Sequence, residues 1–433
     1  MLRRLRGNGS NKINRGGART IESAPWQAPH SSWSFSSHEH ATIRAMPSEI
    51  SDPRTFPARV ETSHTPLLEL AEASLAATSA ARADALDRTL AAALAERLES
   101  GDALLLAELI AAAPSVAIAR QLWRRLIDAW RVASRGNAAD GLAATLFAMP
   151  VVVIAASQST ADAPAVVPSV AGLLSDTARL AAILLEHRAL AGNESFGLAD
   201  ALVAADAVDI PRWSDLLAWQ KLVGRREIVE RDLPPTPIAV QPGQQSVHLR
   251  FLIGTTLAAP EVDVLAATDG AGWAMPLAKE LARQLALPEV SVLALPRAPQ
   301  SPPAALQQGR AAQREVGLQL FASNAIRRLR AAVGEPSAVI SAHRSVAAPG
   351  GGELRLSLSS PFDPRQAEGF RCPLFPTDPV SDVASMLVDL LRDCRVADVR
   401  VLPGVHPDRD PQTGMMLLFK SDAPAATEQI SLH

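Results

Sequence analysis

The middle of the sequence contains the proline-rich stretch Val229-Glu230-Arg231-Asp232-Leu233-Pro234-Pro235-Thr236-Pro237. An alanine-rich region with the period of an α-helix precedes this stretch. After Gln245 the pattern changes, and apolar residues occupy every second position of a strand-like run: Val247, Leu249, Phe251 and Ile253. The change of period predicts a helical module joined to an α/β module, with function in one of the two modules or between them.

We therefore expect a multidomain α and α/β protein with four segments. Residues 1–60 form a basic and polar disordered tail, and residues 61–228 form an alanine-rich helical domain, either a bundle or an irregular α-array. Residues 229–245 form a proline-rich linker, and residues 246–433 form an α/β domain with a mixed sheet. Alternation of strands with helices in the last segment favours a sheet covered by helices.

Composition limits the possible functions. The chain has 433 residues, of which 48% are hydrophobic and 20% charged, and its formal net charge is −3. This balance argues against a protein that binds nucleic acid over its whole surface, which needs a broad positive field. The bias towards arginine, alanine and proline is typical of a GC-rich genome and predicts a bacterial source.

Cysteine content and hydropathy predict a cytoplasmic protein. The two cysteines allow at most one disulfide and cannot build a cysteine-rich zinc site, so a reducing compartment is the simpler interpretation. The most apolar stretch, residues 141–156, is shorter than the roughly 20 residues that span a bilayer. We predict no transmembrane segment.

The first 45 residues allow two interpretations. An arginine- and serine-rich start without an acid before Glu22 resembles a transit peptide in composition. Alternatively, Met46 is the true start of translation, and the preceding residues are an extension or a solvated tail. Both interpretations stay open at the level of sequence.

Within the helical segment, leucines at intervals of four form one stripe, which consists of Leu86, Leu90, Leu94 and Leu98. Gly101 suits the end of that helix, and Asp102 suits the N-cap of the next one, at 103–113. The following helix places Trp123, Leu126, Ile127 and Trp130 on one face. Further helices are predicted at 167–189, 197–206 and 212–227. Residues 149–156 are ambiguous, because a run of valines also fits a buried strand.

The C-terminal pattern predicts strands at 247–254, 262–267, 290–295, 337–344, 353–359, 397–402 and 414–420. Helices are predicted at 273–286, 304–332 and 380–395, and an irregular loop at 360–379. The pairs 337–344/353–359 and 397–402/414–420 are expected to be antiparallel within a mixed sheet.

Several catalytic signatures are absent. A phosphate-binding P-loop needs Gly-Lys followed by Ser or Thr, and none of the four lysines follows a glycine. The sequence also lacks His-Glu-x-x-His, Gly-x-Ser-x-Gly and the set of kinase motifs. We predict no cofactor and no metal.

Gly270 and Gly272 are candidate ligand-site residues. They belong to Asp269-Gly270-Ala271-Gly272, between a predicted strand and a predicted helix, where backbone N–H groups could approach a phosphate or carboxylate. Met275 stands where a dinucleotide fingerprint has its third glycine. The alternative is a tight turn in which Asp269 caps the helix.

His343 and Arg344 are the second pair of candidates. They end a predicted strand, and strand ends often line sites in α/β domains. His406, Asp408 and Asp410 alternate and could gather a metal, although their prolines and Gly414 fit a polar hairpin loop. Gly350, Gly351 and Gly352 fit a hairpin turn or, alternatively, a ligand loop.

The cysteines and one arginine cluster complete the candidates. Cys394 lies on the apolar face of helix 380–395 and is interpreted as a buried, inert thiol, whereas Cys372 is the more reactive candidate. The helix 304–332 carries a local positive stripe, interpreted as a solvated face or as a surface for an acidic partner or nucleic acid. The stripe consists of Arg310, Arg314, Arg327, Arg328 and Arg330.

Two functional hypotheses follow. The first is a soluble binding or adaptor protein without catalytic machinery, whose helical module contacts a protein partner. The second is an enzyme or a binder of a small ligand, such as a nucleotide or anion, with its site in the C-terminal α/β domain. The sequence carries no strong nucleic-acid signal.

Overall fold

The computed structural model describes residues 61–134, 142–157, 169–170, 172–190, 195–224, 238–239, 245–259, 262–265, 272–287, 290–344, 352–359 and 367–406. These residues form a mixed α/β structure. The helices are α1 Glu61–Leu75, α2 Ala80–Glu99, α3 Ala103–Ala111, α4 Val116–Ala133, α5 Thr177–Glu186, α6 Trp213–Gly224, α7 Ala274–Leu285, α8 Pro302–Val333 and α9 Val380–Asp393. The strands are β1 Ala143–Ser157, β2 Ser169–Val170, β3 Ser195–Ala204, β4 Ile238–Ala239, β5 Gln245–Ala258, β6 Val290–Pro296, β7 Ser337–Arg344, β8 Gly352–Ser359, β9 Ala367–Leu374 and β10 Asp398–His406.

Helices α1 to α4 pack together as the leucine stripe predicts. Ser79 and Ser115 cap α2 and α4, because their hydroxyls accept hydrogen bonds from backbone N–H groups three residues later. Gly101 ends α2 with a positive φ of 86°, which glycine adopts without a steric penalty. The Asp102 side chain does not cap α3 but accepts a hydrogen bond from Arg97 at 3.0 Å.

The aromatic face of α4 is confirmed. Trp123 and Trp130 are buried and contact Trp213 at the start of α6, with ring centroids 5.7 and 6.2 Å apart and edge-on geometry. Such edge-to-face pairs add to the energy of area burial. They join the four N-terminal helices to the part of the chain that follows the first two long strands.

Sheet 1 has the strand order β3-β5-β1-β6 and is antiparallel at each pairing. Successive β1 residues point to opposite faces. Leu146 and Ala148 pack into the core formed with α1 to α4, whereas Val151 and Val153 pack into the core formed with α5 and α7. Helices therefore cover both faces of sheet 1.

Two predicted elements near sheet 1 are wrong. Residues 197–206 were expected to be helical, but 195–204 form β3, which pairs with β5. Residues 201–204 are all buried, so neither face of the segment shows a polar period and tertiary pairing decides its conformation. The described part of the predicted strand 262–267, residues 262–265, is not a strand, and α5 occupies only part of 167–189.

The ambiguous segment around Met149 is a strand, so the description of residues 61–228 as helical is wrong for β1 and β3. Strands on both sides of the predicted linker build sheet 1, because β1 and β3 precede it and β5 and β6 follow it. Residues 229–237 and 240–244 lie outside the described residues, so the linker itself stays a prediction. The tail at 1–60, with Met46, also lies outside them.

Sheet 2 has the order β10-β7-β8-β9 and is mixed, as predicted. β7 and β8 are antiparallel, which confirms the pairing of 337–344 with 353–359, and β10 is parallel to β7. The expectation of an irregular loop at 360–379 is wrong for residues 367–374, which form β9 against β8. The predicted strand 414–420 lies outside the described residues.

Helix α8 belongs to both cores and confirms the predicted helix at 304–332. Its 32 residues extend roughly 48 Å at 1.5 Å per residue. Ala305 and Leu306 pack against sheet 1, while Leu318, Ala322 and other residues of its second half pack with α9 against sheet 2.

The arginines of α8 do not form the continuous solvated stripe that the sequence suggests. Four of them form ion pairs with acids of this chain: Arg310 with Asp209, Arg314 with Asp378, Arg328 with Glu368 and Arg330 with Glu335.

Among the described residues, no helix combines the length and the apolar character needed to cross a membrane.

Close approach of β3, β5 and β1 gives a first test of the fold. A Cβ atom on Gly254 would lie 2.3 Å from the Phe147 ring and 2.8 Å from the Gly197 carbonyl oxygen. We expect Gly254→Ala to lower the free energy of unfolding by about 1–3 kcal/mol through overpacking. Gly197→Ala is the matched control, since its Cβ would meet only Thr255 at 3.8 Å. Equal stability of the two variants in urea denaturation would contradict the described pairing.

The outer surface of α7 gives a pH-dependent test. Hydrogen bonds from Arg283 and Gln284 lower the pKa of the Glu280 carboxyl to about 2. A lowered pKa means that the ionised form stabilises the fold above the ordinary pKa near 4.5, and that this contribution is lost as pH falls towards 2. We expect Glu280→Gln to cost about 0.5 kcal/mol at pH 7 and clearly less at pH 2, where the carboxyl is partly protonated in the folded state. Denaturant titrations at both pH values, with exposed Glu69→Gln as control, measure this; a pH-independent difference would contradict it.

Candidate functional site

The face of sheet 2 opposite α8 and α9 is polar. Alternation along β7 and β8 sends Ala338, Ile340 and Leu356 into the core with the helices. The intervening positions form what we call the polar face, in which the buried Val339 is the apolar member on β7. Its polar members are Ser337, Ser341, His343, Glu353, Arg355, Ser357, Ser359 and, on β9, Arg371. Most of these side chains are buried.

Ser341 and His343 form a hydrogen-bonded pair within this face. They lie two residues apart on β7, and the Ser341 Oγ and His343 Nε2 atoms are 2.8 Å apart. Each residue is only 2% exposed. A neutral imidazole has one donor and one acceptor nitrogen, so Nε2 either accepts from the Ser341 hydroxyl or donates to it, according to the tautomer.

Two arginines approach one carboxylate beside this pair. Arg355 Nε donates a hydrogen bond to Glu353 Oε1 at 2.6 Å, and Arg371 Nε lies 3.8 Å from the same oxygen. Strand register places Ser341 opposite Arg355 and His343 opposite Glu353. Directly opposed residues on an antiparallel pair have Cβ atoms roughly 5 Å apart, so the five side chains form one cluster.

Exposure increases across the cluster from β8 to β9. The Arg355 side chain is 3% exposed, that of Glu353 is 13% and that of Arg371 is 46%. β9 is the edge strand of sheet 2. Arg371 is therefore the member of the cluster that solvent reaches most readily.

The ligand-site candidates predicted from the sequence lie in different parts of the structure. His343 lies in the polar face, and Arg344 ends β7. Gly272 lies beside α7 against sheet 1, where a Cβ atom would be 3.8 Å from His187 Nδ1, while Gly270 and Asp269 lie outside the described residues. The structure thus places Gly272 near sheet 1 and His343 in sheet 2, and the ligand role of each stays a prediction.

The sequence interpretation missed Ser341, Glu353, Arg355 and Arg371. A signal for the first three was present, because polar residues at alternate positions of two predicted, adjacent strands must share a face. Arg371 could not be placed, since its strand was predicted as a loop.

The possible metal group near His406 is not established. The β10 and β7 backbones place His406 in register with His343, while Asp408 and Asp410 lie outside the described residues. Within the described ranges, no three His, Cys, Asp or Glu side chains gather in a metal-binding arrangement. Of the glycine loop, only Gly352 is described, as the first residue of β8.

The structure reverses the burial expected for the two cysteines. Cys372 was the more reactive candidate, but it is buried in the core between sheet 2 and the helices, and burial raises the pKa of its thiol to about 12. A thiol that resists ionisation is a poor nucleophile. Cys394 follows α9 and is partly exposed rather than fully buried.

No family model, curated protein or solved structure matches this chain. Function is therefore inferred from the chemistry of the described side chains.

Thiol labelling tests the assignment of the cysteines. At pH 8 in native conditions, iodoacetamide should modify Cys394 well before Cys372, because the Cys394 side chain is partly exposed whereas Cys372 is buried. Peptide mass spectrometry after timed quenching measures both sites, and Cys394→Ser should leave the native protein almost unlabelled. Preferential labelling of Cys372 would contradict the burial described here.

Proposed function

We propose that this protein binds a small ligand that carries a carboxylate or phosphate group, and that the polar face of sheet 2 is its site. The observation that supports the proposal is the cluster in which Arg355 and Arg371 share the Glu353 carboxylate beside the hydrogen-bonded Ser341–His343 pair. This proposal retains the second hypothesis from the sequence and places its site at His343.

Arginine chemistry favours an anionic ligand. The planar guanidinium presents paired N–H donors that match the oxygens of carboxylate and phosphate groups. Glu353 Oε1 occupies the position between the two arginines where such an oxygen would bind. A ligand anion would share or replace this carboxylate.

The gradient of exposure suggests separate roles within the site. Arg371 is half exposed and would make the first contact with a ligand from solvent. Arg355 lies in a desolvated position, where a charge-assisted hydrogen bond is stronger than at the surface. Ser341 and His343 would supply a neutral donor and acceptor that distinguish ligands by their polar groups.

Two cavities elsewhere in the described structure are less suited to this function. One, of about 310 Å³, is lined by Arg330 and Cys394 among others, and its Arg330 already binds Glu335 and two backbone carbonyls. The other, of about 330 Å³, is lined by residues that include Arg125 and Asp87, which pair with each other. The adaptor hypothesis stays a prediction from the sequence, without a described surface that favours it.

An anion titration tests the proposal. At low millimolar concentration, sodium phosphate and sodium citrate should raise the melting temperature saturably and more than sodium chloride of equal ionic strength, because a ligand that binds only the folded state stabilises it. Stabilisation by exclusion of these anions from the protein surface does not saturate in this range. Arg371→Gln should weaken the apparent affinity roughly tenfold, since a hydrogen bond to a charged group contributes about 1.5–3 kcal/mol.

Arg392→Gln is the matched control. Its guanidinium is highly exposed and pairs with Asp389 on the surface of α9, so its loss should leave anion binding unchanged. Absence of an anion-specific shift in the wild-type protein, or equal weakening by both variants, would overturn the proposed site.

A further inference from the structure

Residues 375–382 comprise the connection from β9 to α9 and the first three residues of α9, and arginines from two distant helices bind them. Arg120 of α4 donates to the Thr377 carbonyl oxygen at 3.0 Å and to Asp382 at 3.4 Å. Arg314 of α8 forms an ion pair with Asp378. Three polar contacts thus connect this short segment to elements that pack against sheet 1 or between the sheets.

Asp378 is the centre of these contacts. Both of its carboxylate oxygens accept from Arg314, and one also accepts from the Phe375 backbone N–H at 3.0 Å. Both charged side chains are largely shielded from solvent. A fork of this kind fixes direction as well as distance, because both guanidinium nitrogens must face the two oxygens.

A third arginine contacts the start of the segment. Arg310 of α8 lies over the Phe375 ring, 4.5 Å from its centroid, and donates to Asp209 at 2.8 Å. Asp209 precedes α6, which belongs to the helical layer of sheet 1. The segment therefore meets the helical layer through Arg310 as well as through Arg120.

β9 is a strand that such an anchor would stabilise. Within the described part of the chain, β9 pairs with β8 alone and forms the edge of sheet 2. Arg371 lies near its C-terminal end, and the strand ends at Leu374, directly before Phe375. Contacts of residues 375–382 with α4 and α8 thus restrain the strand close to Arg371.

We propose that the Arg314–Asp378 ion pair, with the other contacts of residues 375–382, positions Arg371 for anion binding and couples the polar face to the helical layer on α4. This inference rests on the proposed function. Asp378 is a positioning residue here, because it acts through β9 and does not touch the ligand.

The test compares Asp378→Asn with Asp389→Asn, an exposed aspartate on α9 that serves as the matched control. We expect Asp378→Asn to raise the Kd for inorganic phosphate at least fivefold and to accelerate hydrogen exchange in residues 367–374. Exchange in β1 and β5 should stay at the wild-type rate, since their ladder lies in sheet 1. Asp378→Glu, which keeps the carboxylate, should restore part of the affinity.

The outcomes separate the two proposals. If the wild-type protein binds phosphate and Asp378→Asn binds it equally well, the positioning role is overturned and the proposed function stands. If the wild-type protein binds no anion, the proposed function fails. In that case, hydrogen exchange in β9 of Asp378→Asn at the wild-type rate would overturn the restraint of β9 as well. Faster exchange confined to β9 of this variant would support the restraint. Should Asp378→Asn fail to fold, Arg120→Gln removes only the outer contacts and must show the same changes at smaller size.

Discussion

The β1 and β5 strands pair over fourteen positions, from Ala143 opposite Ala258 to Ala156 opposite Gln245. This ladder joins segments on either side of residues 158–244, so the cost of closing a long loop must be met before its contacts form. The other elements depend on it, because β3 attaches to β5, β6 attaches to β1, and α8 packs on both central strands. A shift of one residue would exchange the residues that face α7 with those that face the N-terminal helices.

The sequence predicts those elements that have a polar side. Helices α2, α4, α7, α8 and α9 each expose one face, so their apolar period is visible. The β7–β8 pair alternates because one of its faces is polar, although most of that face is buried. β1 and β3 lose this signal, because helices cover both faces of sheet 1 and their side chains are apolar in both directions. β9 was not predicted for a different reason. Its own sequence contains glycine and proline, which are rare in strands, and its strand conformation depends on pairing with β8.

The same reasoning explains how much of the candidate site was predictable. His343 could be proposed because it ends a recognisable strand. Its hydrogen bond to Ser341 follows from strand geometry once β7 is known, and the opposition of Arg355 follows once the β7–β8 register is known. The position of Arg371 needs a third strand, so this second arginine of the site was beyond sequence reasoning.

Burial of the polar face has an energetic consequence for function. Desolvating an arginine, a glutamate and a histidine costs free energy that hydrogen bonds and ion pairs only partly recover, and apolar residues of similar volume often stabilise a core more. The opposite face of β7 and β8 packs Ala338, Ile340 and Leu356 against the helices, so these two strands do not themselves require buried polar residues. A chemical role for Arg355 and the Ser341–His343 pair offers a reason for retaining them.

Helix α8 connects this polar face to the remainder of the molecule, and its arginines determine how. Apolar contacts along α8 stabilise both cores but are not directional, so they specify the rotation of sheet 2 about the helix only weakly. The bonds of Arg310 to Asp209 and of Arg314 to Asp378 are directional, and they are made at the point where the helix passes from one core to the other. β9 ends at Leu374, directly before the segment that contains Asp378, so the ion pair adds a directional restraint to the apolar contacts of Cys372 and Leu374 at this end of the strand. Under the proposed function, anion binding at the polar face would be linked to the packing of the helical layer through this short segment of chain.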